Sequence, residues 1–292
     1  AVNSGPGFLT LKQGQIAQAI RAAVNEMEAD IAVAAHKGAS RAYGTAATTP
    51  FATAGDYSDA AQTRKMLDDN GAPLSDRSLV IDTTAGANLR GKQAQYQMTG
   101  EVNLQRQGVL LDINGFMIRE SAQVATFTAG AMASATTSAA ALTVGQTVLP
   151  LATAGTGVVA AGDIITLAND TNKYVVSAVV FAGANPASGD TITIAAPGIR
   201  KAQSSATRAI TVVATAARNV AFTRNAILLA TRLPAIPAEG DLASDRMTIT
   251  DPVSGISLEF AVYPGYRMVV YHVSLAWGVS VIKPEHVAVL LG

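Results

Sequence analysis

The sequence predicts an α+β protein with an all-β domain inserted near the middle of the chain. Three observations support this prediction: a helical stripe of apolar residues near the start, a nearly uncharged middle stretch of short strand-like segments, and long β-rich runs toward the end. The chain has 292 residues, a length that suggests about two domains.

The first element is a long helix predicted over residues 11–36. Its apolar residues recur every three or four positions, at Ile16, Ile20, Val24, Met27, Ile31 and Ala35. This spacing places them on one side of an α-helix, and His36-Lys37-Gly38 is typical of a helix C-terminus. A helix of about 39 Å is too long to be enclosed by a small domain. We therefore expect it to lie along a surface or to span between subdomains.

A second helix and several strands follow the first helix. Residues 58–69 are predicted to be helical and residues 78–82 to form a strand. Asn114-Gly115 lies between two further strand-like segments, 109–113 and 116–119. Asn-Gly between such segments is a strong hairpin signal, so we predict a hairpin there.

The composition changes sharply between Ala122 and Ile199, where only four residues are charged. Turn residues separate strand-like segments at 142–151, 163–167, 173–181 and 191–195. Short strands at nearly regular spacing are typical of a β-sandwich or a barrel. We therefore predict an inserted all-β domain over residues 122–218.

The rest of the chain is also β-rich. Residues 225–231 are a predicted strand, and residues 247–250 and 256–262 are predicted to form a hairpin. In the run 267–282, one of the two alternating faces is wholly apolar and contains Val269, Tyr271, Val273, Leu275, Trp277, Val279 and Val281. Such a face must be covered by other apolar surface. Residues 286–291 form the last predicted strand.

Composition and charge exclude several classes of function. The 21 basic and 21 acidic side chains give a net charge of zero, which argues against a dedicated nucleic-acid binder. The chain has no cysteine, so disulfides, thiol catalysis, iron–sulfur clusters and cysteine-type zinc sites are excluded. The apolar runs are too short to span a bilayer, and the first ten residues lack the features of a secretory signal.

One segment is similar to a phosphate-binding loop. Gly86 to Lys92 follows the strand that ends at Asp82 and matches the loop pattern through its lysine. Gln93 stands where the pattern requires a Ser or Thr to bind Mg²⁺. No amphipathic helix is predicted over 94–100 to present its N-terminus to a phosphate. We interpret this segment as a structural loop that contains glycines.

The other candidate sites are also interpreted as structural. Gly155-x-Gly157 lacks the helix that a dinucleotide site needs, because residues 163–167 continue as a strand. His36, His272 and His286 lie far apart in the sequence without metal-ligand spacing. We therefore predict no catalytic residues, no cofactor-binding residues, no metal site, no cofactor and no enzymatic activity.

Five segments together carry a family resemblance. They are Gly108–Ser121, Gly162–Ala168, Gly189–Ile194, Asn219–Ala226 with the nearby Leu233-Pro234, and Arg267–Gly292 with its Trp277-Gly278 and Lys283-Pro284-Glu285. In this order the segments resemble the major capsid (coat) proteins of tailed bacteriophages. The nearest subgroup is the short-tailed Salmonella-phage type, whose coat protein has an inserted β-barrel domain.

The resemblance implies the Hong-Kong-type phage capsid fold, with a long spine helix, a peripheral domain and an axial domain. The implied division of the chain is 1–49 for the end of an extended loop and the spine helix, 50–121 for the first axial part, 122–218 for the inserted all-β domain, 219–240 for the second axial part, and 241–292 for peripheral strands that return to the axial sheet. Family members carry an N-terminal arm and most of the extended loop before the spine helix, whereas only Ala1–Thr10 precede it here.

The resemblance also implies self-assembly into the icosahedral shell that encloses the double-stranded DNA genome of a tailed phage. The implied partners are many copies of the chain in pentamers and hexamers, a scaffolding protein and a portal during assembly, and packaged DNA held without sequence specificity. No membrane partner is implied. The implied location is the virion capsid, after assembly in the bacterial cytoplasm. The alternatives are another β-rich virion structural or surface-binding protein and, last, a nucleotide-binding enzyme.

Overall fold

A computed structural model describes residues 6–53, 56–95, 107–153, 155–182, 186–251 and 255–292. The contacts within the chain divide it into two compact units. Unit 1 contains residues 1–31 and 229–279, and unit 2 contains residues 32–228 and 280–292.

The described residues form three α-helices and 17 β-strands. The helices are α1 (Pro6–Lys37), α2 (Ser58–Asp69) and α3 (Thr83–Gln95). The strands are β1 (Arg41–Tyr43), β2 (Arg77–Ile81), β3 (Met117–Glu120), β4 (Thr126–Phe127), β5 (Ala135–Thr137), β6 (Val148–Thr153), β7 (Ile164–Leu167), β8 (Lys173–Val180), β9 (Thr191–Ile194), β10 (Ala209–Val212), β11 (Ala216–Thr223), β12 (Ile227–Arg232), β13 (Asp245–Thr250), β14 (Ser257–Gly265), β15 (Met268–Ser274), β16 (Ala276–Val281) and β17 (Val287–Leu291).

Unit 2 contains a mixed sheet with the strand order β3-β2-β11-β17-β1. The pairs β2–β3 and β1–β17 are parallel, and the other two pairs are antiparallel. All five residues of β17 are buried, as expected for a central strand whose two faces are both covered. Helices α2 and α3 share one hydrophobic core with this sheet, to which they contribute Leu67 and Leu89.

Six strands of unit 2 close into a β-barrel with the order β5-β6-β9-β8-β7-β10 and back to β5. The barrel has its own core, which is filled mainly by branched and aromatic side chains such as Leu149, Ile165, Tyr174 and Ile192. Side chains fill the interior of a barrel with so few strands. Strand β8 also pairs with β1, so the barrel and the mixed sheet are hydrogen-bonded to each other within unit 2.

A polar contact is buried at the end of β8. Tyr174 is completely buried, and its hydroxyl donates to Asp170 Oδ2 at 2.7 Å and accepts from the Arg200 backbone N–H at 3.0 Å. Burial is the main cause that raises the pKa of this phenol. The tyrosine therefore stays neutral and keeps its proton for Asp170.

Unit 1 contains an antiparallel three-stranded sheet with the order β13-β14-β15. A second, two-stranded sheet pairs β12 with β16. Trp277, the single tryptophan of the chain, donates its Nε1 proton to Asp30 Oδ2 at 2.9 Å. This bond connects β16 to helix α1 inside unit 1.

The predicted fold class is wrong. Strands make up 37% of the structure, and among the described residues only three α-helices are present and six strands form a closed barrel, which conflicts with an α+β Hong-Kong-type fold organised by a spine helix. The physical reason is that a helix can organise a fold only when it buries one of its faces in the hydrophobic core. Helix α1 has 32 residues and is longer than predicted, but among its described side chains only Met27, Ala35 and His36 are buried. The hydrophobic cores are instead formed largely by strands paired over long sequence distances, which local patterns do not encode.

Several local predictions agree with the structure. The helix predicted over 58–69 has the bounds of α2, and the strands predicted at 78–82, 163–167, 173–181 and 191–195 overlap β2, β7, β8 and β9. The hairpin predicted over 247–250 and 256–262 is formed by β13 and β14, although residues 252–254 of its turn lie outside the described residues.

Other local predictions are wrong. The turn at Asn114-Gly115 is present, with Ile113 and Phe116 bridged across it, but β3 then pairs with β2 instead of with residues 109–113. The run 267–282 is not one strand, because it is divided into β15 and β16. The domain boundaries remain a prediction, and β11 runs through the proposed boundary at 218/219.

Candidate functional site

The segment that is similar to a phosphate-binding loop is helical in the structure, which corrects its interpretation as a loop. Gly86, Gly91 and Lys92 all lie within α3. Asp82 starts this helix, because its Oδ2 accepts from the Thr84 backbone N–H at 3.1 Å and a carboxylate at this position stabilises a helix N-terminus. A helix has no free backbone N–H groups in its interior, so these residues cannot surround a phosphate.

Lys92 is held as a structural residue. It is 4% exposed, its Nζ donates to the carbonyl oxygen of Asp56, and the same nitrogen lies 5.6 Å and 5.5 Å from the ring centroids of Phe51 and Tyr57. Burial is the largest cause that lowers the pKa of Lys92, while Asp59 and Asp56 act in the opposite direction. Its charge is therefore already balanced by carbonyl, carboxylate and aromatic groups.

The glycine pair of the dinucleotide-like pattern is also structural. Gly155 and Gly157 adopt positive φ angles of 68° and 71°. A Cβ atom on either residue would collide with the backbone carbonyl oxygen of Ala133 or Ala131. Close backbone approach beside the barrel is therefore the reason for glycine at both positions.

The three histidines do not meet. His36 lies at the end of α1, His272 on β15, and His286 just before β17. Within the part of the chain that the structure describes, no group of three or more His, Asp or Glu side chains is placed to hold a metal ion. None of the three described helices has the length and apolar character needed to cross a membrane.

The strongest candidate for an interaction site is one face of the β13-β14-β15 sheet. The strand register places eight apolar residues on this face: Met247, Ile249, Leu258, Phe260, Val262, Val269, Tyr271 and Val273. We call this set the apolar face. The rings of Phe260 and Tyr271 stack on it, with their centroids 5.7 Å apart, so the face is continuous between β14 and β15.

The opposite face of the same sheet carries several polar and charged residues. Arg246 makes ion pairs there with Asp241 and, at 3.8 Å, with Glu259. Tyr263 donates its hydroxyl proton to Asp241 Oδ2 at 2.7 Å, and its ring lies 6.3 Å from that of His272. The opposite face also contains Ala261 and Val270, and Asp245 lies beside Val262 on the apolar face. The two faces therefore differ in polarity, but neither is wholly polar or wholly apolar.

The apolar face is only partly covered by its own chain. Val269 is 55% exposed, Met247 54%, Tyr271 37% and Ile249 36%. Between the face and helix α1 lies a groove of about 300 Å³, lined on the helix side by Gln15, Ile16 and Ala19. Exposed apolar side chains that form one continuous surface mark interaction sites in soluble proteins.

The sequence identified part of this surface. Alternation in 267–282 predicted that Val269, Tyr271 and Val273 share an apolar face that must be covered. The structure adds that the cover is incomplete. Met247 and Ile249 on β13 were not singled out from the sequence, although the hairpin prediction together with the two-residue alternation of strands would have placed them beside β14.

Comparisons with known proteins include partial similarities to solved structures, two of them from phages. The sequence matches no protein-family model and no curated protein. A solved structure from Mycobacterium phage Che8 is 14% identical with a TM-score of 0.41, over 93% of this chain and 60% of that one. The capsid structure of the cyanophage P-SCSP1u is 12% identical with a TM-score of 0.39, over 99% of this chain and 66% of that one. This chain thus spans less than two-thirds of the length of either of these two structures.

Proposed function

We propose that this chain is a structural protein of a phage virion and, more specifically, a major capsid protein that assembles with many copies of itself. The single observation that carries the proposal is the apolar face of unit 1. Its own chain leaves Val269 and Met247 more than half exposed, so a second molecule has to complete the burial that the alternating sequence requires.

The charge of the chain favours other copies of itself as that second molecule. The net charge is zero, so copies can pack closely without strong mutual repulsion. The ion pairs of Arg246 with Asp241 and Glu259 balance charge within the opposite face of the sheet. The apolar face is therefore the surface available for contact between copies. Many modest contacts of this kind add up in a closed symmetric assembly.

The capsid identity within this proposal rests on the resemblance of the ordered sequence segments to tailed-phage coat proteins. It includes an icosahedral shell built from pentamers and hexamers, double-stranded DNA enclosed without sequence specificity, and a scaffolding protein and a portal as partners during assembly. It also includes assembly in the bacterial cytoplasm and the absence of enzymatic activity. Each of these points is part of the proposal and requires its own test.

Electron microscopy of the expressed chain and of purified particles tests the proposal directly. We expect closed shells, or rings of five and six subunits, from the unmodified chain. Val269→Glu places a charge on the apolar face at a side chain that is 55% exposed, so we expect it to fold but to block assembly. Leu74→Glu is the matched control, because Leu74 is 71% exposed and lies in unit 2, outside the apolar face.

The two variants separate a failure of assembly from a failure of folding. Circular dichroism and thermal unfolding should be the same for Val269→Glu and Leu74→Glu as for the unmodified chain. Loss of rings and shells in Val269→Glu alone supports the proposal. If Val269→Glu assembles as efficiently as the control, the apolar face is not the contact between copies. Unmodified chain that stays monomeric at every concentration contradicts the capsid function itself.

A further inference from the structure

Three arginines are almost completely buried in unit 2, and the guanidinium of one of them has no hydrogen-bond partner among the described residues. Arg41 donates to Met66 O and Asn70 Oδ1, both at 3.2 Å. Arg77 donates to Ala72 O at 2.7 Å and forms an ion pair with Asp68 at 2.7 Å. Arg218 is 2% exposed, and its Nε, Nη1 and Nη2 atoms make no hydrogen bond to any residue that the structure describes.

The surroundings of Arg218 leave its N–H groups without a hydrogen-bond acceptor among the described residues. Its guanidinium carbon lies 5.5 Å from the centroid of the Phe127 ring, a favourable contact that leaves the N–H groups unpaired. Asp163 supplies a nearby negative charge, but its two carboxylate oxygens accept from the backbone N–H groups of Gly130 at 2.9 Å and Ala160 at 2.7 Å. Burial lowers the pKa of Arg218 to about 10, so the guanidinium is still a cation at neutral pH.

Arg218 lines a cavity of about 70 Å³. The other walls are the end of α1, with Ala32, Val33 and His36, and the segment 123–127 that ends in β4. A cavity of this size holds on the order of five water molecules. It is therefore large enough for a small oxyanion and too small for a nucleotide.

His36 adds a hydrogen-bond acceptor to the same cavity. Its Nδ1 donates to the Ala32 carbonyl oxygen at 3.1 Å, so in the neutral imidazole Nε2 carries a lone pair. This Nε2 is buried and has no hydrogen-bond partner in the described part of the chain. Burial lowers the pKa of His36 to about 4, and the charge of Arg218 acts in the same direction. The ring is therefore neutral at pH 7.

We propose that this cavity is a binding site for one small oxyanion that carries a proton, with hydrogenphosphate as the ligand that fits its chemistry. The guanidinium of Arg218 donates to the charged oxygens, as arginine does in phosphate and carboxylate sites. The hydroxyl of the anion donates to His36 Nε2. This arrangement satisfies both unpaired groups at once, whereas sulfate has no proton to give to the histidine at neutral pH.

Thermal unfolding of the full chain in phosphate and in sulfate tests the proposal. The two salts are compared at equal ionic strength, because both stabilise proteins by exclusion from the surface and only specific binding separates them. We expect a saturable rise in Tm in phosphate beyond that in sulfate, as required when a ligand binds only the folded state. Titration calorimetry with phosphate should then give a single site per chain.

Two variants test whether the phosphate-specific rise in Tm comes from binding in this cavity. Arg218→Met removes the cation but keeps an unbranched side chain, and Ala32→Leu fills the cavity with a residue that favours helix and leaves Arg218 in place. Both should weaken phosphate binding at least tenfold and abolish the difference between the salts. If Arg218→Met does not fold, Ala32→Leu alone decides the result.

The proposal is overturned if phosphate and sulfate act equally on the unmodified chain, or if the phosphate effect persists in Ala32→Leu. An increase in Tm for Arg218→Met, without any specific phosphate effect in the unmodified chain, would also overturn it. In that case the guanidinium is a buried charge without hydrogen bonds, and apolar packing in its place stabilises the chain. These measurements use unassembled chain, so their outcome is independent of shell formation.

Discussion

Removal of one hydroxyl group from the barrel should cost a large part of its stability. Tyr174→Phe deletes the donation to Asp170 Oδ2 and leaves the Arg200 backbone N–H without an acceptor. Tyr174 is completely buried, so water cannot replace either bond. A bond to a carboxylate contributes about 1.5–3 kcal/mol, and an unpaired buried N–H costs about 1–3 kcal/mol. Asp170 keeps its bonds from Asn172 through Oδ1, so we expect a total loss of about 3 kcal/mol.

The assay is thermal unfolding followed by circular dichroism, together with hydrogen exchange of the barrel amides. For a unit of this size, each kcal/mol lowers Tm by about 2–4 °C, so Tyr174→Phe should lower it by roughly 6–12 °C. Exchange should accelerate most in β7 and β8. Tyr266→Phe is the control, because Tyr266 is 89% exposed and should change stability by less than about 0.5 kcal/mol. Equal unfolding temperatures for the two variants would refute the account of the buried hydroxyl.

Three further predictions concern His36, the barrel glycines and nucleotide binding. In phosphate-free buffer, the pKa of His36 is about 4 in the folded chain, below its value of about 6.5 in the unfolded chain. The unfolded state therefore binds more protons between these two pH values. The free energy of unfolding should fall by up to about 3 kcal/mol as the pH is lowered from about 6.5 to 4. In urea unfolding, the free energy of unfolding should depend on pH more steeply for the unmodified chain than for His36→Gln within this window. Above the window, the two should have the same pH dependence. Gly157→Ala should lower the free energy of unfolding by more than about 1 kcal/mol. This loss should be clearly larger than that of Gly189→Ala, whose added Cβ meets no atom within 4 Å. Similar losses in urea unfolding would show that positive φ, and not the contact with Ala131, is responsible. Millimolar ATP with Mg²⁺ should leave Tm unchanged, because Lys92 lies inside α3, and a saturable shift would contradict that reasoning.

The local elements were predictable where sequence and packing agree. Residues 58–69 end at Asn70-Gly71, and the helix is confirmed with the same bounds. The strands β7, β8 and β9 were predicted because β-branched residues alternate between clear turn signals. In both cases the local pattern and the tertiary environment favour the same structure.

Other elements depend on contacts that no local pattern contains. Helix α3 has two internal glycines, Gly86 and Gly91, which disfavour a helix locally, but Ala85 and Leu89 are both completely buried against the mixed sheet. Strands β5 and β10 are short and pair with each other across more than seventy residues. Their partners could not be identified from the sequence alone, and without them the barrel closure and the fold class were not predictable.

The candidate sites also differ in whether a local sequence pattern or a tertiary contact produces them. The apolar alternation around Val269 and Tyr271 is a local pattern, so the sequence identified this face. The unpaired guanidinium of Arg218 is visible only after folding, because it results from the positions of Phe127 and His36 on two other elements. From the sequence, Arg218 was identified only as the last residue of the predicted inserted domain.

The position of β17 in the mixed sheet has a consequence for the order of events during synthesis. This strand lies between β1 and β11, and its Ala288 pairs with Arg41, near the start of the chain. Neither neighbour can complete its hydrogen bonds until residue 291 has left the ribosome, so each strand has one unpaired edge until then, and β1 waits much longer than β11 because it is synthesised first. Contacts of such long sequence separation slow folding. The nascent chain is therefore exposed to edge-to-edge aggregation, and a chaperone that shields β1 and β11 during this interval should raise the yield of folded protein.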